Sequence, residues 1–296
     1  MMRRRLAVAA LAAAGLLGTV TVPVAAGADA AVPAVFHGRA EAAGMFSAVN
    51  FPPLLDGFLV YSLSEATNET GFGANAPFYP GFLIGFVMVD NKIPPAPGTA
   101  ETRYPQGPTA EASVGPFARS AGKSGPEGTS GSTRVAGQSG VALGEASSSV
   151  VAAADTVTSK ASVALSNVNV GNGAFVLQSL LAEATAVATR SAGQAKAVGT
   201  VELIHVTVNG TSVVVTPRGV KLADQQGHDL PDSADSVLAA AGVTIRRLPD
   251  HSEMRPDGTE SAFETGGIEV TWKQGESTIT QTLGRVRVQA TGQWSR

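Results

Sequence analysis

From Val151 to Leu165 the odd positions read Val, Ala, Asp, Val, Ser, Ala, Val, Leu. That period of two puts an apolar set on one face of an extended chain. At Val168 and Val170 the apolar set moves to even positions, which predicts a β-bulge or short break near Asn167. Gly171-Asn172-Gly173 marks a turn, and a second run starts at Ala174. Its stretch Leu180–Ala188 is rich in alanine and would suit a helix. Thr and Val alternate with Ala there and no 3.6-residue stripe is present, so it is assigned to strand. Val201–Val208 and Thr211–Thr216 flank Asn209-Gly210, the pattern of a hairpin closed by a type I′ turn. Pro217-Arg218-Gly219 ends the second arm. One helix is predicted, Ser233–Ala241, with Pro231 before it, Asp232 as cap and Gly242 in the left-handed position after it. Val243-Thr244-Ile245 resumes strand, Pro256-Asp257-Gly258 turns, and Gly266-Gly267 leads into the alternating Ile268–Lys273. Ser277–Gln289 is the closing strand, with a break at Gly284.

Upstream the pattern changes twice. Residues 31–96 hold Phe36, Phe46, Phe51, Phe58, Tyr61, Phe72, Phe78, Tyr79, Phe82 and Phe86. They are cut by Pro52-Pro53, Gly57, Pro77, Pro80-Gly81 and Pro94-Pro95, which excludes helices of ordinary length. Short strands fit, with the aromatics supplying a core or, alternatively, a binding face. Residues 97–150 are dominated by Gly, Ser, Ala and Pro. They read either as a flexible linker or as strands of small residues lying on close-packed backbone, with Val114, Phe117, Val135, Val141 and Leu143 spread among them. The expected fold is therefore mainly β: antiparallel sheets of long strands, sandwich or open-barrel-like, with one short helix near 233–241. The expected organisation is 1–30, 31–96, 97–150 and 151–292, the last three compatible with one continuous domain over 31–292.

The first thirty residues read as an export signal. Arg3, Arg4 and Arg5 precede an apolar stretch from Leu6 to about Val20, and small residues follow to Ala28-Asp29-Ala30. This predicts a signal peptide cut after Ala30 or after Gly27. Its removal takes away three arginines and one aspartate, moving the formal charge from −3 to −5. A net acidic chain does not predict a nucleic-acid partner. No cysteine is present, so disulfides, thiolate metal sites and a cysteine nucleophile are excluded. The apolar run Phe82–Val89 is too short for a membrane-spanning helix of about 20 residues and is assigned to a buried strand. No transmembrane segment is expected after signal removal.

A family resemblance lies in the order of several short motifs: Phe78-Tyr79-Pro80-Gly81, Ser166–Gly171 followed by Phe175-Val176-Leu177, Thr207–Val213, Arg218-Gly219-Val220, Leu238–Ile245, Gly266–Val270 and Thr282–Arg285. In that order the chain resembles the exported, β-rich actinobacterial choice-of-anchor P family proteins across nearly all of its predicted mature length. The resemblance implies an exported or surface-associated protein of unassigned activity. Members differ in how they are held at the surface. This sequence offers neither a terminal anchor helix nor a sorting signal, since Leu230-Pro231-Asp232-Ser233-Ala234 only partly matches one, so non-covalent association is expected.

Candidate chemistry is sparse. His228, Asp229, Asp232 and Asp235 form the densest group of ligand-capable residues, but their spacing fits no calcium loop. Asp250-His251-Ser252-Glu253 has no nucleophile elbow, and His37 and His205 stand apart. Gly122-Lys123-Ser124 resembles the end of a phosphate loop, with Phe117 where a glycine belongs. Glu260 and Glu264 are four apart in a strand-like region and so do not face one another across a cleft. Asn68-Glu69-Thr70 and Asn209-Gly210-Thr211 match a glycan-acceptor pattern. No catalytic, cofactor-binding or metal-binding residue is assigned, and no cofactor. The expected function is a non-catalytic, secreted module of the cell envelope, surface or an adhesive structure. Its expected partners are wall or envelope components or another protein. The alternatives are a carrier of an apolar ligand, which requires an enclosed apolar cavity, and a secreted hydrolase, which requires histidines gathered with carboxylate or serine in a cleft.

Overall fold

The computed structural model describes residues 33–50, 55–81, 95–138, 140–191, 193–224 and 226–294. The signal segment 1–30 and the run Phe82–Val89 lie outside these residues, as do Phe51 and Pro52-Pro53. The elements in chain order are β1 (Val35–Asn50), β2 (Leu55–Thr67), β3 (Gly71–Pro80), β4 (Ala100–Tyr104), β5 (Thr109–Val114), β6 (Ala118–Gly125), β7 (Gly128–Gln138), β8 (Val141–Ala153), β9 (Thr156–Val170) and β10 (Phe175–Thr189). There follow β11 (Lys196–Val208), β12 (Thr211–Thr216), β13 (Gly219–Ala223), β14 (Asp229–Ser233), α1 (Asp235–Ala241), β15 (Val243–Arg247), β16 (His251–Met254), β17 (Glu260–Glu264), β18 (Ile268–Gln274) and β19 (Ser277–Gln293). Among the described residues no helix is long and apolar enough to cross a membrane.

The protein is mainly β, as the alternation predicts, and the pairing is antiparallel throughout. One sheet is a ten-stranded meander running in sequence order from β5 to β14. The other runs β15-β18-β19-β1-β2-β3-β4, with β17 and β16 branching from β19. The closing strand thus returns beside the first. The sheets stack strand over strand: β3 on β6 and β7, β2 on β7 and β8, β1 on β8 and β9, β19 on β9 and β10, and β17 on β10 and β11. This is a sandwich of two open sheets rather than a closed barrel. Residues 100–153 take the small-residue strand form, as β4 to β8.

Local turn chemistry behaves as the residues dictate. Asn209 and Gly210 both carry positive φ, +46° and +77°, as a type I′ hairpin requires. Gly242 closes α1 in the left-handed conformation and its N–H reaches the carbonyls of Leu238 and Ala239. Asp232 does not cap this helix. The helix starts later than expected, and the Ser233 hydroxyl accepts the Asp235 N–H at 3.2 Å instead. The run Val151–Leu165 is not one strand either. It folds into a hairpin at Ala154-Asp155 with Ala153 opposite Thr156. A two-residue turn exchanges the parity of the buried face, from Val150 and Ala152 to Val157 and Ser159, and nothing in Ala-Asp announces it.

Asn167 departs from expectation in a more instructive way. No extra residue is accommodated there: β9 keeps one register with β8 and with β10 on both sides of it. Each strand from β7 to β11 inverts its alternation at the same level. The row Gly137, Ala142, Asn167, Gln178, His205 crosses β7 to β11, with positive φ on alternate strands at Gly137 (+64°), Asn167 (+48°) and His205 (+49°). The facing sheet has a matching row through Val60, Gly44 and Gly284, with positive φ at Val60 (+56°) and Gly284 (+71°). The two creases nest. A Cβ on Gly284 would strike Leu180, and one on Gly144, beside the row in β8, would strike Val60. An isolated bulge offsets one strand against its partner, whereas a crease shared by all strands preserves the ladder.

Candidate functional site

The aromatic side chains of β1 to β3 divide between the two faces of their sheet. Phe36 is buried between the sheets. Because the crease inverts β1 and β2 between Ala43 and Phe46 and between Phe58 and Tyr61, the aromatics on both sides of it emerge on the outer face. There Phe46 and Phe58 have ring centroids 4.9 Å apart, Phe58 and Tyr61 5.1 Å, and Tyr61 and Tyr79 stack at 4.6 Å. Ala43, Leu63 and Ala74 make a small apolar floor with Tyr61, and Phe58, Phe72 and Tyr79 pack against it. Arg103 lies over the Phe72 ring at 4.9 Å, within range of a cation–π contact.

A charged row continues this face across the sheet. The Tyr61 hydroxyl donates to Glu41 Oε1 at 3.2 Å, and Arg39 donates to the other oxygen at 3.3 Å. Arg287 stands opposite Glu41 in register. It donates to Glu264 from both Nε (3.1 Å) and a terminal nitrogen (2.8 Å), and Arg285 adds a bond at 2.9 Å. Burial alone would raise the Glu264 carboxyl, but the two guanidiniums outweigh it and hold the group below the usual carboxylate range. The Tyr61 side of the face behaves in the opposite sense. Tyr61 is only 3% exposed, and burial, followed by the negative charge of Glu41, pushes its phenol well above the ordinary value. Burial, then Glu101, raises Tyr79 as well. Both phenols therefore stay neutral hydrogen-bond donors at physiological pH.

The residues singled out in the sequence are dispersed. His37 pairs with Glu65 at 3.0 Å at the margin of the outer face. His228 pairs with Asp224 at 3.0 Å on an exposed loop, and its backbone N–H, then its ring, hold that carboxyl low. His251 pairs with Glu253 at 2.8 Å, both exposed on β16. Asp229 is engaged by Lys221 at 3.0 Å, Asp250 by Arg247 at 3.2 Å. Asp235 lies in the first turn of α1. Ser252 reaches the Ala197 carbonyl at 3.4 Å. Glu260 binds Arg255 while Glu264 binds Arg285 and Arg287, so the two carboxylates serve separate ion pairs. Lys123 and Ser124 belong to strand β6, where the Ser124 hydroxyl is buried against Thr102 at 2.7 Å. Asn68 sits on the exposed turn after β2, Asn209 on the β11–β12 turn. Among the described residues no three His, Asp or Glu side chains are placed to hold a metal ion.

Among the described residues, two of the surface hollows measure about 240 Å³ each. One lies between β11 and β12 and is lined in part by Val201, Leu203, His205 and Val214. The other lies beside Phe117. Both fall short of the ~300–1,000 Å³ that drug-sized ligands occupy. Arg39, Glu41, Arg103, Arg285 and Arg287, which complete the outer face, were not candidates from the sequence. Their alternation within β1, β4 and β19 signals only solvent exposure, and their convergence depends on cross-strand register.

No family model matches the chain and no curated protein matches it. Among solved structures, the translocator domain of autotransporter NalP from Neisseria meningitidis aligns at 9% identity over 86% of this chain and 87% of that one, with a TM-score of 0.14. An overlap that slight carries no argument about fold or function.

Proposed function

We propose that the chain is an exported, non-catalytic β-sandwich of the choice-of-anchor P type that works as a structural or adhesive module, secreted and held non-covalently at the cell envelope. The observation that carries this reading is the outer face of β1–β3. It joins the half-buried Phe46, Phe58 and Tyr79, packed about the buried Tyr61, to a row of guanidinium–carboxylate pairs. A broad sheet face of this kind suits contact with an extended polymer or another protein surface: aromatic rings supply area at little entropic cost, and pre-ordered Arg and Glu supply hydrogen bonds. The pairing of His37, His228 and His251 with single, separate carboxylates also supports it, because general acid–base chemistry needs such groups to converge on one substrate.

The test is co-sedimentation of the purified chain with cell-wall and lipid fractions. Retention by the wall fraction is expected, and the Phe46→Ala/Phe58→Ala double variant should lose at least tenfold in retention with its fold intact by circular dichroism. Retention by neither fraction, or undiminished retention of the double variant, overturns the proposal.

A further inference from the structure

The sandwich forks at the creases. In one sheet β19 pairs with β18 through Leu283 and with β17 from Arg287 onward, and the two branches separate at Thr265–Gly267. In the other sheet β12 pairs with β11 only at Val206, Thr207 and Val208. Below the crease β11 keeps its β10 partner from Lys196 to Ile204 and has no strand on its other side among the described residues.

This edge is set to accept another strand. Successive residues of an antiparallel strand send their N–H and C=O groups to opposite sides. The Ser252 hydroxyl of β16, across the sandwich, reaches the Ala197 carbonyl at 3.4 Å and leaves it a second lone pair for a ladder bond; Gly199 and Val201, of the same parity, present their groups to the same side. The segment Ala197-Val198-Gly199-Thr200-Val201 contains no proline, no inward charge and no bulge, the devices that ordinarily blunt an edge. Val198 is 55% exposed. Lys196 and Glu202 flank the segment, both exposed and neither with an ion-pair partner among the described residues.

We propose that this edge pairs with the same edge of a second copy, antiparallel about a two-fold axis through Gly199. Edge-facing residues meet edge-facing residues in that register: Ala197 opposite Val201 of the second copy, Gly199 opposite Gly199. Lys196 lies opposite Glu202 of the second copy, twice by symmetry. The register centred on Val201 loses both ion pairs, and the one centred on Glu202 sets that carboxylate against itself, a like-charge pair that destabilises a ladder. The Gly199-centred register also keeps the incoming strand away from Val206, where β12 begins. The result is one continuous sheet through two sandwiches, an isologous dimer built by β-augmentation.

The test is sedimentation velocity of the purified chain up to about 100 μM, where a dimer is expected. Lys196→Glu and Glu202→Lys, each a change at an exposed side chain, should each weaken dimerisation on the order of tenfold by setting like charges opposite one another. Mixing the two variants should restore a heterodimer, and so should combining both substitutions in one chain. Val201→Pro removes the edge-facing N–H while sparing the β10 ladder, a placement proline tolerates, and should give a folded monomer by circular dichroism. A chain that is monomeric throughout, a dimer indifferent to Val201→Pro, or charge variants that the mixture fails to rescue overturns the proposal. Binding of the monomeric variants to the wall fraction separates this outcome from the fate of the outer aromatic face.

Discussion

The two ends of the sandwich interior solve the same packing problem with opposite chemistry. Where β9 and β10 face β1, β18 and β19, the space holds Phe36, Met45, Leu165, Phe175, Leu177, Leu180, Ile268 and Leu283, all essentially without exposure. Where β6, β7 and β8 face β2, β3 and β4, it holds hydroxyls and one amide. Ser62 Oγ lies 2.7 Å from Asn75 Oδ1, 2.7 Å from Ser148 Oγ and 3.1 Å from the Gly131 carbonyl. Ser148 also meets Ser64 at 2.8 Å, and Thr133 donates to the Tyr61 carbonyl at 2.8 Å. A serine that touches the opposite backbone directly needs the sheets closer than the usual ~10 Å at that point, and Ser159 does the same to the Gln289 carbonyl at 2.6 Å where β9 faces β19. Glycine makes the approach feasible, since a Cβ on Gly131 would strike the Asn75 amide. A buried polar interior is tolerated because its hydroxyls find partners. Asn75 Nδ2, without one among the described residues, is the exception. Side-chain size and polarity distinguish the ends: large apolar side chains fill one, and at the other small hydroxyl side chains are satisfied by one another and by the opposite backbone.

The contrast breaks most visibly at the apolar end. Phe175→Ala should cost about 3–5 kcal/mol by leaving a cavity that rigid neighbours cannot fill, measured as a lower urea midpoint with unchanged slope. At the polar end the damage comes from addition. Gly131→Val should cost about 1–3 kcal/mol by driving the sheets apart, and hydrogen exchange should quicken in β2, β3, β6 and β7 before it does in β9 and β10. The smallest effect concerns pH. The polar end is held by neutral groups, so acid should spare it and act instead through the outer face. Glu264 has a lowered folded-state pKa, so its contribution is present above its unfolded value and is lost as pH falls through the folded one. Glu264→Gln should therefore cost about 1 kcal/mol at pH 7, given its partial exposure, and nothing at about pH 2. Thermal melts of the two proteins across that range should converge in acid.

Much of the strand content was legible because alternation and turn chemistry are local. Asn209-Gly210, Gly242 and the apolar rows of β9, β10 and β18 declare themselves within a few residues. The crease did not, because at Asn167 the inversion of one strand looks like a bulge until the neighbouring strands are seen to invert with it. The aromatics of the outer face misled for the same reason, since an inversion between Phe58 and Tyr61 places residues of opposite parity on one surface. Residues 97–150 were ambiguous because small side chains have little intrinsic preference between linker and strand.

The amino-acid pattern by itself determined that this chain is a β protein, where most of its turns fall, and that a short helix ending at Ala241 is closed by glycine. Only the tertiary structure decided which face each row covers, that two creases nest, that one end is polar, and that β11 lacks a second strand partner over part of its length among the described residues. The division follows from range: steric and hydrogen-bond preferences act over a few residues, whereas register and sheet spacing are set by side chains distant along the chain.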